Sequence, residues 1–552
     1  DLSGINADIS NWPGFGIHFY NVTESNFPTL HMIGTTFDAA VGAKYALAFT
    51  GCSRIRGGYC WVENRSDGIH LIGGNNGFYW DTIEGKTGDD LFSSTPKDYT
   101  SYVISGTAAH NTVVRIKNLI QTGSSYAANI SGGVHSGTTY TTIDTVIDSI
   151  YHKPSSSAQS SIKSAIRHLG CKGLIVNKLY AFVPRDVACI RLDYDSTSGF
   201  LDSTIPCTGI VFNDILRRDN TAIAPTGSSF GQIVNMAPEY VAKDVTFNKI
   251  RAVLFDGYTE GIYTDTSSAV FNLAPGGTSS GSSTQTGYIT NLTINDCQLN
   301  VVDASGVELA VGSYLGQFIN WGRYGCYNGT TYDGVVKINN CVLRGFQSIA
   351  TTYDNASPST KWIISNNTFH SCTKGLRFQS PGTASFENNV FLGTTNRIVE
   401  LASTNASAAV EVRFAESNYV SSISACPYYS TAGGGAGWTY TMKSFWRSRG
   451  RGKVQTVDGN RYGPWEADIF RLTANSAQTL RLRPHAPGDV ITVRNDSASG
   501  TITLSSVDEN GSAQATPGTF TNTAGTTLTN PMTTGQVVTM VATTERDWQQ
   551  IG

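Results

Sequence analysis

One pattern constrains this chain more than any other. A few apolar residues, an Asn or Asp, and a second short apolar run return again and again. The pattern stands as "VVKINNCVLRGF" from Val335, "WIISNNTFHSC" from Trp362 and "SFENNVFLGT" from Ser385. Weaker copies are "YITNLTINDCQL" from Tyr288, "KDVTFNKIRAVLF" from Lys243, "TGIVFNDILRR" from Thr208 and "KGLIVNKLYAFV" from Lys172. The step varies: 27 residues separate Asn340 from Asn367, and 22 separate Asn367 from Asn389. Stacked repeats tolerate such insertions in their turns. Alternation within the runs argues for strand, and no long run has helical spacing with caps. A strand unit at this period, with Asn at one turn, predicts a single-stranded parallel β-helix. Each coil then pairs with the next at about 4.8 Å, and alternate side chains stack inside. The turn Asn can take the left-handed conformation and hydrogen-bond along the stack. A large β-sandwich or propeller is the rival fold, and the scarcity of Asn-Gly hairpin turns counts against it.

Composition agrees with an all-β chain: 57 glycines, 25 tyrosines and 24 phenylalanines, with only 15% charged residues. A net charge of −3 shows no basic face, so nucleic acid is not the expected partner. The short basic stretch "WRSRGRGK" from Trp446 reads as a solvated or inter-subunit loop. No run approaches the about 20 apolar residues of a membrane helix, so no membrane insertion is expected. The ten cysteines lack CxxC spacing. Cys297 in "INDC" and Cys341 in "INNC" hold equivalent places, which predicts buried, stacked, reduced thiols and assembly in a reducing cytoplasm. The opening residues "DLSGINADIS" are no signal peptide and read as the continuation of an upstream part. Texture divides the chain into a β-helix over 1–424, a Gly-rich and basic linker over 425–468, and a small antiparallel β domain over 469–552. The last would cover the open end of the solenoid or join subunits.

Two segments near the start carry acids at matching places. "NRSDGIHL" holds Asp67, and "TGDDLF" holds Asp89 and Asp90 one coil later. Asp favours turns, and a turn is the bland reading of each acid alone. In register, however, Asp67 and Asp90 would stand about 4.8 Å apart. One carboxyl of such a set keeps its proton and can act as an acid. Glycoside hydrolysis needs that pairing of acid and carboxylate. His70 alternates with Gly68 and could share the groove, and Arg115 and Lys117 flank Ile116 as candidate holders of an acidic sugar. Candidate sugar platforms are Trp80 beside Tyr79, Tyr102, and Trp321 beside Tyr324 and Tyr327. A second acidic set, Asp256, Glu260, Asp265, Asp303 and Glu308, obeys no spacing rule. The nine histidines lack ligand spacing, so no metal is expected. No phosphate loop, dinucleotide fingerprint or nucleophile elbow is present, so no cofactor is expected either.

With these coils and acids in place, the chain resembles the bacteriophage tailspike depolymerases. That resemblance implies a right-handed, homotrimeric parallel β-helix that binds bacterial surface polysaccharide and cuts it. It also implies a particle-binding region before the first residue and residence in the virion tail. The acidic segments are similar to the polygalacturonase-type glycoside hydrolases. Asn64, Asp67 and Gly68 stand for that family's first element, and Asp89 and Asp90 for its second. The resemblance implies Asp89 as acid, with Asp67 and Asp90 holding the water of an inverting reaction. His110 and the triplet Arg115-Ile116-Lys117 are the nearest counterparts of the later elements, but they fall out of step; the coil register puts Tyr126 where the histidine belongs. The expected activity is internal hydrolysis of capsule or O-antigen. A lyase that eliminates across a uronic acid, using Arg115 or Lys117, and a non-catalytic adhesin of the same fold are the alternatives.

Overall fold

Every described element of the computed structural model is a strand, and most pair in parallel. The structure describes residues 5–8, 15–33, 44–96, 110–135, 137–155, 162–184, 186–193, 205–220, 231–237, 240–256, 269–273, 288–303, 305–307, 316–321, 334–352, 360–378, 382–394, 397–401, 409–415, 417–422, 428–430, 439–443, 454–457, 461–462, 469–482, 490–506, 518–528, 531–544 and 547–552. No helix among them is long and apolar enough to cross a membrane. The chain forms two units, Asp1–Gly345 with Asn355–Thr360, and Phe346–Asp354 with Lys361–Gly552.

In the first unit each coil contributes to two stacks of parallel strands, the arrangement a parallel β-helix requires. One stack opens with Ile5–Asp8 and Asn26–Ile33 and goes on to the long strands Ser53–Asn64, Asn76–Thr87, Asn111–Gln121 and Thr138–His152. Further along, the same position is filled by two shorter strands with a turn between them, such as Cys207–Phe212 and Ile215–Asp219. The turn divides its work between neighbouring residues. Asp214, Lys249, Asp296 and Asn340 take positive φ values of 42°, 52°, 58° and 55°. The Asn just before the turn builds the ladder. Asn213 donates to Asn177 at 3.3 Å, Asn248 to Asn213 at 2.8 Å, and Asn295 to Asn248 at 2.9 Å. Inside, Phe212 stacks on Phe247 of the next coil at a ring distance of 5.5 Å, Phe247 meets Phe271 of the opposite stack edge-on at 5.3 Å, and Phe271 meets Phe318 edge-on at 5.4 Å. Each such contact adds about 0.5–1.5 kcal/mol beyond the burial of its area. Cys297 and Cys341 face each other across coils as buried free thiols.

The second stack runs through Tyr45–Thr50, Asp67–Gly73, Phe92–Ser94, Ala128–Ile130, Ile166–His168 and Ile190–Leu192. These short strands carry the acids at their entrances.

The second unit shows the same kind of coil, with Gly382–Glu387 pairing Ala409–Phe414 and Lys374–Phe378 pairing Arg397–Leu401, all parallel. Its last part differs from the antiparallel set expected over 469–552. Val454–Thr456, Ile469–Leu472 and Val490–Asn495 pair in parallel, as do Gln478–Leu482 and Ile502–Ser506. Antiparallel pairing enters with Val537–Ala542, which meets both Val490–Asn495 and Trp548–Gln550. Alternation in sequence marks a half-buried strand but not its direction, so both kinds of pairing satisfy it. The strand Val454–Thr456 also lies within the stretch read as linker.

Candidate functional site

Three turns stacked on consecutive coils build the acidic site. Gly68 N donates to Asp90 O at 2.7 Å, Gly88 N to Asn64 O at 3.1 Å, and Leu91 N to Tyr126 O at 3.0 Å. Ile69 pairs with Phe92, which sets Asp67 opposite Asp90. The coils approach so closely that glycine is required twice. A Cβ on Gly68 would lie 2.4 Å from Leu91 O, and one on Gly88 would lie 2.0 Å from Arg65 O. Side chains lock the same turns: Asn64 Nδ2 donates to Asp67 O at 2.7 Å, and Thr87 Oγ1 to Asp89 O at 2.8 Å.

The result brings one carboxyl oxygen from each of Asp67, Asp89 and Asp90 within 4.8 Å of the others. Asp67 and Asp90 are 6% and 5% exposed. Both carboxyls are pushed well above the ordinary carboxylate range, first by burial and then by the charge of Asp89. Asp89 is the open member, with 49% of its side chain exposed and Lys163 Nζ at 3.2 Å from its Oδ1. Ser125 Oγ donates to the same oxygen at 3.3 Å, and Asn129 Nδ2 holds Asp90 Oδ2 at 2.7 Å. Lys163 also lies over the Tyr126 ring at 5.2 Å. The sequence-predicted trio is therefore brought together.

His70 belongs to the site but not to its opening. It is buried, its Nδ1 lies 2.9 Å from Asp67 Oδ2, and its ring packs 4.2 Å from Tyr45. Burial first, then Lys44, pushes its pKa down to about 3. The contact is thus between a neutral imidazole and a carboxyl group rather than an ion pair, and it positions Asp67.

Other expected sugar contacts lie elsewhere. Trp80 is 2% exposed and stacks inside on Phe78 at 5.3 Å, so it cannot be a sugar platform. Tyr79 is the outward ring of that pair. Trp321 is buried too, with Nε1 donating to Thr360 Oγ1 at 3.3 Å. Arg115 and Lys117 sit on the other stack of strands, paired with Asp144 at 2.7 Å and Asp81 at 2.6 Å. His110 accepts from Thr141 N at 3.2 Å, and none of its described contacts is with the trio. Tyr102, Tyr324, Tyr327, Glu260, Asp265 and Glu308 lie outside the described residues, as does the side chain of Asp256. Asp303 turns back on its own loop, accepting from Ser305 N at 2.8 Å and Val307 N at 2.9 Å.

Sequence reasoning missed Asn129, Lys163, Arg167 and Arg191. In register, His70, Ser93, Asn129, Arg167, Arg191 and Asn235 succeed one another coil by coil. Asn272 and Asn320 continue the column. Each sits between buried neighbours in its strand, on the opposite side of the pleat. Asp193 bridges Arg167 at 2.7 Å and Arg191 at 3.4 Å. The signal was present in "AIRH" and "CIRL", where an Arg interrupts two short apolar runs in the same way. Lys163 had no comparable signal.

The trio can store and release a proton, and its oxygens are also close enough to share one hard divalent cation. Compared with protein-family models, with curated proteins and with solved structures, the chain matches none of them.

Proposed function

We propose that this chain is a subunit of a trimeric bacteriophage tailspike, a right-handed parallel β-helix, that binds bacterial capsule or O-antigen and hydrolyses it internally. The reading rests on one observation: three carboxyls from two consecutive coils within 4.8 Å, two of them buried and pushed well above the ordinary carboxylate range by that burial and by Asp89. Burying acids against each other opposes folding, so such a cluster has a chemical use more often than not. The half-buried part of the polar column, Arg167, Arg191, Asn235 and Asn272, gives a polymer something to lie along. Attachment to the phage particle, residence in the virion tail and assembly in the host cytoplasm belong to the same proposal. The terminal strands, with their own core around Phe470, Leu480 and Trp548, are assigned to holding subunits together.

In this reading a carboxyl of the trio protonates the glycosidic oxygen, and water attacks the anomeric carbon while passing its proton to a second carboxylate. Asp89 is the member open to the polymer. The decisive experiment incubates the purified protein with a panel of bacterial capsules and O-antigens and follows released oligosaccharides by mass spectrometry. Saturated fragments with new reducing ends support hydrolysis. Binding without any shortening of the glycan would leave only the adhesin. The nearest oxygens of the trio are closer than the about 6.5–9.5 Å of a common inverting pair. The first-formed anomer, read by NMR, therefore separates water held by Asp67 and Asp90 from direct attack by Asp89.

The compactness of the trio favours a second reading, a lyase in which a divalent cation on these carboxylates binds a uronic acid. Unsaturated product absorbing in the ultraviolet, and loss of activity on chelation, would support it.

Lys163→Met tests the direction of proton flow. Lys163 lowers the pKa of the Asp67 carboxyl, so its removal lets that pKa rise further. If the cluster donates the proton, the alkaline limb of the pH profile moves to higher pH. If the cluster accepts it, the acid limb moves up instead. An unchanged profile would separate Lys163 from the chemistry.

A further inference from the structure

No acid is involved in the second group of candidate ligands, and no solvent reaches it. His168, Cys171 and Cys207 each bring one ligand atom within 4.8 Å of the others, and all three are buried. His168 ends the strand Ile166–His168, on the same side of the pleat as the buried Ile166. Cys171 and Cys207 each stand just before paired residues of consecutive coils, Lys172 and Thr208. Tyr240 comes from the next coil, just ahead of Val241–Asn248. Its hydroxyl lies 3.4 Å from His168 Nδ1. Four donors, one nitrogen, two sulfurs and one oxygen, thus converge inside the solenoid from three successive coils.

The distances around Nδ1 fit a coordination polyhedron better than a hydrogen-bond cluster. Cys171 Sγ lies 3.8 Å and Cys207 Sγ 4.0 Å from it. Those separations are long for hydrogen bonds, and one nitrogen cannot serve three donors well at once. In tetrahedral zinc, metal–sulfur and metal–nitrogen bonds of about 2.3 and 2.0–2.1 Å imply sulfur–nitrogen edges of about 3.5–3.6 Å and nitrogen–oxygen edges of about 3.3 Å. The observed spacings lie within a few tenths of an ångström of that frame. His168 Nε2 has no hydrogen-bond partner among the described residues, so what faces Nδ1 sets the ring. Charge fits as well. Two thiolates cancel the double charge of the ion, and the neutral imidazole and phenol complete a net-neutral complex that an apolar core can hold.

We propose that His168, Cys171, Cys207 and the Tyr240 hydroxyl bind one structural zinc ion inside the β-helix. Binding releases the two thiol protons to solvent and forms two zinc–sulfur bonds. Buried on every side, the ion enters while the coils close and ties three of them together. No sequence spacing announces it beyond His168-x-x-Cys171, because Cys207 and Tyr240 join only through the coil register.

The test uses the intact protein expressed with zinc in the medium. Metal content by plasma mass spectrometry after dialysis against a chelator should be one zinc per chain. Unfolding and refolding with cobalt should give the intense visible bands of tetrahedral thiolate cobalt and a sulfur-to-cobalt band in the near ultraviolet. Cys171→Ser and Cys207→Ser should each lose the sulfur-to-cobalt intensity in part, and the double variant should lose it wholly. Wild-type protein that carries no metal and refolds without colour overturns the proposal even if the variants fail to fold. So does a Cys171–Cys207 disulfide found by mass mapping, or full metal content in a folded double variant. None of these readouts depends on cleavage of a polysaccharide.

Discussion

Asp67→Asn, Asp89→Asn and Asp90→Asn should each slow glycan cleavage by about a hundredfold or more, the usual scale of acid–base help. Asn keeps the shape and most hydrogen bonds: the Asn129 amide can still meet an oxygen at position 90, and His70 can still meet one at position 67. What is lost is the proton. A second measurement on the same variants separates chemistry from folding. The Asp67 and Asp90 carboxyls have pKa values raised above their unfolded values of about 3.9. As pH rises through that window the unfolded chain releases these protons while the folded chain keeps them, so their burial lowers stability at neutral pH. Asp67→Asn and Asp90→Asn should therefore melt higher than the parent at neutral pH, by roughly 1–3 °C for about 1 kcal/mol in a chain this long. The difference should fade below about pH 4. Loss of activity with gain of stability is the signature of a strained functional site. Full activity in all three variants would move the chemistry elsewhere, and lower melting of both buried variants at neutral pH would remove the proton store.

How far the sequence revealed this depends on which physical rule each residue obeys. The coil repeat was legible because every turn must solve one problem, a left-handed residue between two parallel strands. Asp214, Asp296 and Asn340 solve it with residue types that tolerate positive φ. Lys249 does so without that preference, at φ 52°, and no local pattern marks it. The register of Asp67 and Asp90 was legible for the same reason: both precede an apolar strand after a turn locked by glycine. Trp80 was not, because alternation gives two faces without saying which is inside. Gly57, its partner on the previous coil, decides that: a Cβ there would lie 2.1 Å from the Trp80 ring, so only a glycine leaves room for the indole. Lys163 meets Asp89 across 74 residues, and Tyr240 meets His168 across 72. Contacts of that span follow from the lengths of all intervening turns, which periodicity alone does not fix.

Asn389→Leu should destabilise the second unit severely, while Asn388→Gly next to it should cost little. The two residues look alike in sequence but do opposite jobs. Asn388 is exposed with φ 54°, a conformation glycine adopts freely. Asn389 is fully buried in a ladder of amides. Its Oδ1 accepts from Asn367 Nδ2 at 2.9 Å and Asn367 N at 3.1 Å. Its Nδ2 donates to Ile364 O at 2.8 Å and Asn418 Oδ1 at 2.9 Å. Leucine matches the volume but strands those partners on the coils above and below, away from water. Each orphaned buried group costs about 1–3 kcal/mol, so a total of roughly 3 kcal/mol or more is expected even without full additivity. Denaturant titration should show an earlier transition for Asn389→Leu. Hydrogen exchange should speed most at the neighbouring strands Thr368–His370, Val390–Thr394 and Tyr419–Ser422, since stacked repeats fail through their nearest neighbours. Equal effects of the two substitutions would mean that the ladder does not hold the coils, and that inward apolar stacking alone sets their register.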